Sequence, residues 1–209
     1  MPTKKKPTAA SRPGRRPELL AVAAEVFAAQ GYDATTMRGI ADEAGMLAGS
    51  LYHHFDSKES MVDEILSTFL AGLRTAYDTV LGSGLGPGET LEALVAESFR
   101  QIGRNPAAAA IYRTEAAHLA TRPRFRYLAE AQPVFEDVWL RTLERGAAEG
   151  TLSAGPDIGL TARFIGDAVW GAASWYRPDG AHGPADLAHA YLALLLDGLA
   201  PRGDTTRRG

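Results

Sequence analysis

From Pro17 onward, apolar residues return at intervals of three and four, the period of an α-helix, and nowhere alternate convincingly over the length of a strand. Leu19, Leu20, Val22, Ala23, Val26 and Phe27 form the first such stripe, and Gly31 suits the position that closes a helix. Thr35 or Thr36 is placed to cap a short second helix that stops before Gly45. A third, very short one covers about Leu47 to His54. Asp56 as N-cap with Glu59 three residues on makes a capping-box pattern. The long helix it opens carries Met61, Ile65, Leu66, Phe69, Leu73, Tyr77 and Leu81. Gly82-Ser83-Gly84-Leu85-Gly86-Pro87-Gly88 is the clearest linker. Beyond it, helices are expected at about 88–103, 106–121, 123–150, 156–177 and 184–199, with Pro106, Pro123, Pro156 and Pro184 at or near their first turns. The pattern predicts an all-α protein of about nine helices without internal repeats: an N-terminal three-helix domain and a larger helical domain.

The chemistry concentrates at residues 35–58. Ile40, Ala41 and Ala44 can pack on the first helix while Gly45 turns the chain, which is a helix-turn-helix pattern. Such a motif presents the front of its second helix to the major groove. Here that surface is Met46 to His53: small at Ala48, Gly49 and Ser50, inward at Leu51, outward at Tyr52 and His53. Ser50, Tyr52 and His53 can donate hydrogen bonds to phosphates or base edges. Lys58, at the start of the long helix, adds a cation suited to a phosphate. Tyr52 also suits a half-buried packing position, and His54 suits packing better than DNA contact. His53, His54 and Asp56 do not converge on a metal, since adjacent helical residues point about 100° apart. The five histidines are scattered and suggest no nucleophile–base–orienter set, so neither an enzyme nor a cofactor is expected.

Charge changes the picture. Over the whole chain, 22 Lys+Arg against 25 Asp+Glu give −3, which argues against a nucleic-acid binder. Yet Lys4, Lys5, Lys6, Arg12, Arg15 and Arg16 all fall in residues 1–16, where there is no acid. A +6 arm, rich in proline and expected to be disordered, thus precedes a −9 body. Either a solubilising tail or a DNA-embracing arm fits, with Arg15 and Arg16 nearest the helix-turn-helix. The absence of cysteine excludes disulfides, thiolate metal sites and redox sensing, and fits a cytoplasmic protein. No apolar run approaches a membrane span of roughly 20 residues, and the basic start lacks the apolar stretch of a secretory signal.

Gly45-(x)5-Leu51-Tyr52-His53-His54-Phe55-(x)2-Lys58-Glu59, preceded by Thr35-Thr36-(x)3-Ile40-Ala41, resembles the DNA-binding domain of the TetR family of bacterial repressors. That resemblance implies phosphate contacts at Thr36, Tyr52 and Lys58, groove-facing positions at Ala48, Gly49, Ser50 and His53, and core positions at Leu51 and Phe55. Further stretches, Ile111-Tyr112-Arg113-Thr114-Glu115, Arg122-Pro123-Arg124-Phe125 and Arg163-Phe164-Ile165-(x)4-Trp170-(x)4-Trp175-Tyr176-Arg177-Pro178, resemble one branch. It comprises the actinobacterial regulators of ring-degrading cholesterol catabolism, which respond to a CoA thioester of a steroid-ring fragment. In that branch, cations flank the tryptophan matching Trp170 by one helical turn; this chain has Gly166 and Ser174 there.

The larger domain carries aromatic residues on several helices, each suited to core or to a pocket wall. Phe69, Phe99, Tyr112, Glu115, Phe125, Trp139, Arg163, Phe164 and Trp170 are the candidate ligand contacts, because pockets are apolar with a few polar anchors. Gly171 and Ser174 offer a small surface, and Leu187, Tyr191, Leu194 and Leu195 an apolar stripe. The stripe either covers the core of a monomer or, as the family implies, pairs two copies about a two-fold axis. A dimer would space its recognition helices about 34–36 Å apart on a palindromic operator. The expected organisation is a basic arm at 1–16, a DNA-binding domain at 17–62, a ligand-binding and dimerisation domain at 63–200 and a disordered tail at 201–209. The expected function is a dimeric repressor released from double-stranded DNA by a hydrophobic effector, an acyl-CoA thioester first. A sensor of other lipophilic compounds, such as drugs or free fatty acids, is the alternative.

Overall fold

The computed structural model describes residues 15–153 and 157–197. Most of the basic arm, Pro156 and the tail at 201–209 lie outside the described residues. Among those described there are nine α-helices and no strand: α1 Arg15–Gln30, α2 Met37–Glu43, α3 Ala48–Leu51, α4 Lys58–Leu81, α5 Pro87–Arg104, α6 Pro106–Leu119, α7 Arg126–Ala148, α8 Ile158–Gly171 and α9 Pro184–Asp197. None is long and apolar enough to cross a membrane. Two compact units divide within α4, one ending at Leu66 and the other beginning at Ser67.

In the first unit, Leu19, Ala23, Val26 and Phe27 of α1 meet Ile40 and Ala41 of α2, Leu51 of α3 and Phe55, all buried. Thr36 is the cap of α2: its Oγ1 accepts from the Gly39 N–H at 3.0 Å. Thr35, the other candidate, is buried and donates instead to the Gly31 carbonyl at 2.7 Å. Gly45, at φ 63°, supplies the left-handed residue that an L side chain resists, and so sets the angle between α2 and α3. The cap of α4 falls one residue later than the sequence pattern suggests. Ser57 and Ser60 exchange bonds between backbone N–H and side-chain oxygen at 3.3 and 3.2 Å, leaving Glu59 for another partner.

In the second unit, α5 lies against α7 and α9, and α7 against α8. A Cβ on Gly103 would stand 2.2 Å from Cγ of Pro184, so only glycine lets the first turn of α9 sit this close to α5. Two helices are shorter than their apolar patterns. Pro123 opens a 3₁₀ turn, Pro123–Phe125, rather than α7 itself, and α8 ends at Gly171 before a second 3₁₀ turn, Ala172–Ser174. Pro133 sits inside α7, which continues past it at the expense of the hydrogen bond that its missing N–H would have given.

Candidate nucleic-acid interface and ligand cavity

Four residues form α3 by strict geometry, and the expected stretch to His54 is completed by turns, with the N–H groups of His54 and Phe55 both donating to the Leu51 carbonyl at 2.9 and 3.0 Å. Leu51 is fully buried and anchors the element. Gly49, Tyr52 and His53 are exposed, Ala48 and Ser50 half-buried. Tyr52, which suits either of two roles by sequence, is 53% exposed and thus available to DNA. Thr36 is exposed beside its cap bond. Arg15 pairs with Glu18 at 3.1 Å on the surface, a weak, readily exchanged contact.

Two of the candidate DNA contacts, Lys58 and Arg16, have partners within the protein. Lys58 Nζ donates to the carbonyls of Tyr32, Asp33 and Thr35 at 2.8, 3.2 and 2.9 Å and lies 4.4 Å from the Tyr32 ring centre. An ammonium has three N–H donors, and all three are used. Lys58 therefore ties the α1–α2 turn to the start of α4, and a phosphate could claim it only by breaking those bonds. Arg16 likewise grips both oxygens of Glu64, with Nε 3.1 Å from Oε1, donates to the His54 carbonyl and stacks 4.1 Å from the Phe55 ring centre. The Glu64 carboxylate raises its pKa further. Arg16 ties α1 to α4 and to the end of the α3 turn while remaining on the surface.

Tyr32, fully buried, donates its hydroxyl to Glu59 Oε1 at 2.7 Å, and this bond above all holds the Glu59 carboxyl below its ordinary range. A carboxylate so lowered contributes stability that is complete above the unfolded-state pKa and is lost as pH falls through the folded value. Tyr32→Phe is expected to cost the full chain about 1 kcal/mol in urea unfolding near neutral pH. The gap from the wild type should narrow on acidification to about pH 3, and an equal gap at both would contradict this reading.

In the second unit, a cavity of about 560 Å³ opens among α4, α6, α7 and α8. Its floor is buried at Leu73, Leu128, Trp139 and Ala162, and its walls are the half-buried Tyr112, Phe135 and Trp170. Arg113, Gln132, Glu136, Arg163 and Asp167 form an exposed rim. Gly166 of α8 lines the cavity and faces Trp139 of α7, where a Cβ would touch the indole at 3.6 Å. Burial raises the pKa of Tyr112, with Glu136 adding to the shift, so its phenol stays a neutral donor.

Tyr112, Trp139, Arg163 and Trp170 thus line the cavity as expected by sequence, while five other candidates do not. Phe69 stands behind it, its ring centre 6.0 Å from Tyr112 and 6.1 Å from Trp170. Phe99 packs on Tyr191 of α9 at 6.0 Å, and Phe125 is fully buried core. Glu115 is half-buried outside the lining. Phe164 is 64% exposed, pointing away because its neighbour Arg163 takes the cavity-facing position. Sequence reasoning passed over Leu73, Gln132 and Glu136. On α7 the lining residues Leu128, Gln132, Phe135, Glu136 and Trp139 follow one helical face, a register visible only once one member is known to face a cavity.

The expected pairing stripe is divided. Tyr191 is half-buried, donating its hydroxyl to the Ile165 carbonyl at 3.2 Å, and burial pushes its pKa up to about 12. Leu187 and Leu195 are half-buried too. Ser174 is exposed and donates to the Gly171 carbonyl, while Gly171 is half-buried. Among the described residues from α8 onward, the exposed large apolar side chains are Leu160, Phe164, Trp175, Leu194 and Leu196.

A helix-turn-helix unit in one chain with an all-helical unit that holds a cavity is the architecture of a ligand-responsive DNA-binding regulator. The family description "Bacterial regulatory proteins, tetR family" matches residues 19–65, and "Tetracyclin repressor-like, C-terminal domain" matches residues 84–199. The chain belongs to the TetR family. It is 49% identical over 187 residues to the HTH-type transcriptional repressor KstR2 of Rhodococcus jostii (strain RHA1), covering 90% of this chain and 92% of the relative. To KstR2 of Mycobacterium tuberculosis (strain CDC 1551 / Oshkosh) it is 43% identical over 189 residues, covering 90% and 94%. The structure of the ketosteroid transcriptional regulator KstR2 of Mycobacterium tuberculosis superposes with a TM-score of 0.85 at 42% identity, over 93% of this chain and all of that one. The protein is a transcriptional repressor of TetR type, not an enzyme.

Proposed function

We propose that this repressor acts in the cytoplasm as a homodimer on a palindromic operator and is released by an acyl-CoA thioester from lipid or sterol catabolism. The observation that carries the effector reading is the cavity, with aromatic walls and Arg113 and Arg163 at its open rim. A volume of about 560 Å³ suits a drug-sized apolar group such as an acyl chain or ring fragment. The nucleotide of CoA is too large to enter with it and would lie at the rim, where its phosphates meet the two guanidinium groups. The likeness to KstR2, described in Mycobacterium tuberculosis as a ketosteroid regulator, supports a steroid-derived acyl group.

The DNA surface of this reading is Thr36, Ala48, Gly49, Ser50, Tyr52 and His53, with Arg15 beside it. Pairing uses the uncovered apolar face of α8 and α9. Leu73 of α4 lines the cavity, and Tyr77, one turn on, sets its ring edge-on against Phe135 and Trp139 at 5.7 and 5.9 Å. Because α4 runs unbroken from Lys58 to Leu81, a ligand that shifts these rings acts on the helix that begins in the DNA-binding unit. It lowers operator affinity by as much as it prefers the DNA-incompetent conformation, and no more.

A second reading, a sensor of lipophilic acids or drugs, is favoured by Glu136 and Asp167, which offset the two arginines at the rim. Titrating fatty-acyl and steroid-acid CoA thioesters, each beside its free acid, against the operator-bound protein separates the two. Release by the thioester at concentrations at least tenfold below the acid is expected; equal potency would favour the second reading. Operator binding itself should weaken steeply with salt, because phosphate contacts release counterions.

A further inference from the structure

Most exposed large apolar side chains of the second unit lie on α8 and α9, where pairing covers them. Leu47 stands apart. It is 79% exposed, more than any other large apolar residue described, and lies on the helix-turn-helix surface with Tyr52 and His53. Its place in the chain makes the exposure informative. Leu47 immediately precedes α3, its backbone extended at φ −73° and ψ 138°, and its side chain gives the element no cap. Serine, threonine or aspartate there would satisfy an orphan N–H and be better solvated. Leucine forgoes both advantages, and its side chain adds nothing to the core, which Leu51 fills.

The surface around it is short-sided. Ala48, Gly49 and Ser50 carry at most two heavy side-chain atoms, so the backbone can approach base edges closely and Leu47 projects beyond its neighbours. Of the groups on the floor of a major groove, only the C5-methyl of thymine is apolar. We infer that Leu47 is a base-reading residue that packs on a thymine methyl and makes an A·T pair at that step part of the operator.

The test uses the full chain and an operator selected from a pool of randomised duplexes. Each thymine is replaced in turn by deoxyuridine, which removes the methyl and nothing else. For the wild type, one symmetry-related thymine position is expected to weaken binding about fourfold per half-site, the effect of exposing one buried methyl, and about 15-fold when both halves are replaced. Leu47→Ala should bind the thymine and deoxyuridine operators equally at that position while keeping wild-type sensitivity at all others. Leu47→Val should restore part of the discrimination. Unfolding midpoints should match the wild type, since the side chain is solvent-exposed. The inference is overturned if Leu47→Ala discriminates thymine from deoxyuridine as the wild type does. It is also overturned if the variant changes only the oligomeric state, which would make Leu47 a contact between copies of this chain.

Discussion

Phe164→Glu is expected to leave the protein folded, monomeric and at least 100-fold weaker on a palindromic operator. Phe164 is 64% exposed, and Leu160, one turn before it on α8, is 47% exposed. On α9, Leu194 and Leu196 are 47% and 48% exposed. The two helices are held in one unit by the bond from the Tyr191 hydroxyl to the Ile165 carbonyl. Isolated apolar residues on a surface need no explanation, but Leu160 and Phe164, one turn apart on one face of α8, mark an interaction surface. In a two-fold pair each residue meets its own face, so one substitution introduces two carboxylates, desolvated and near each other, with no cation supplied. The core does not depend on Phe164, so the far-ultraviolet dichroism should be unchanged. Sedimentation equilibrium reports the monomer. Operator affinity then falls because the second half-site contact no longer follows the first at high effective concentration. A Phe164→Glu chain that still sediments as a dimer would place the pairing surface elsewhere.

The same residue shows where sequence legibility ends. Arg163 and Phe164 are adjacent, and on a helix adjacent side chains point about 100° apart, so a single α8 cannot aim both at one cavity. Periodicity reveals that one of them faces in, but not which, because cavity and partner surface are both apolar. The helix-turn-helix was far more legible. Its fold depends on contacts between near neighbours: the Thr36 cap, the turn at Gly45, and the buried Leu51 of α3 packed beside α2. These leave a mark at fixed spacing. The protein partners of Lys58 and Arg16 are not legible for the opposite reason. Their partners lie 23 to 48 residues away, and a cation facing carbonyls across a fold looks, in sequence, like one facing phosphate. Leu47 falls within the surface Met46 to His53 that the pattern presents to the groove, but only its exposure singles it out there.

Reversing both rim cations, Arg113→Glu with Arg163→Glu, is expected to raise the thioester concentration needed for half-release of the operator by at least 30-fold. The potency of the matching free acids should stay within about twofold. The asymmetry follows from the cavity. The apolar part of either ligand meets Leu73, Leu128, Trp139 and Trp170, none of which is changed. Only the thioester carries phosphates to the rim. There Arg163 now pairs loosely with Asp167 at 3.8 Å, with both side chains more than two-thirds exposed, so the arginine is free to turn to a doubly charged partner. Reversal removes two attractions and installs two repulsions beside Glu136 and Asp167, which already make half of the rim's charged side chains acidic. Because these charges are solvated, the contribution is screened. Thioester potency of the wild type should therefore weaken as salt rises past a Debye length of about 10 Å, while that of the double variant should not. Both side chains lie outside the core, and the unfolding midpoint should hold. Equal losses for acid and thioester would mean that the substitutions damage the cavity. No loss for either would mean that the phosphates never reach Arg113 and Arg163, and the effector would then be a lipophilic compound recognised by the apolar floor and aromatic walls alone.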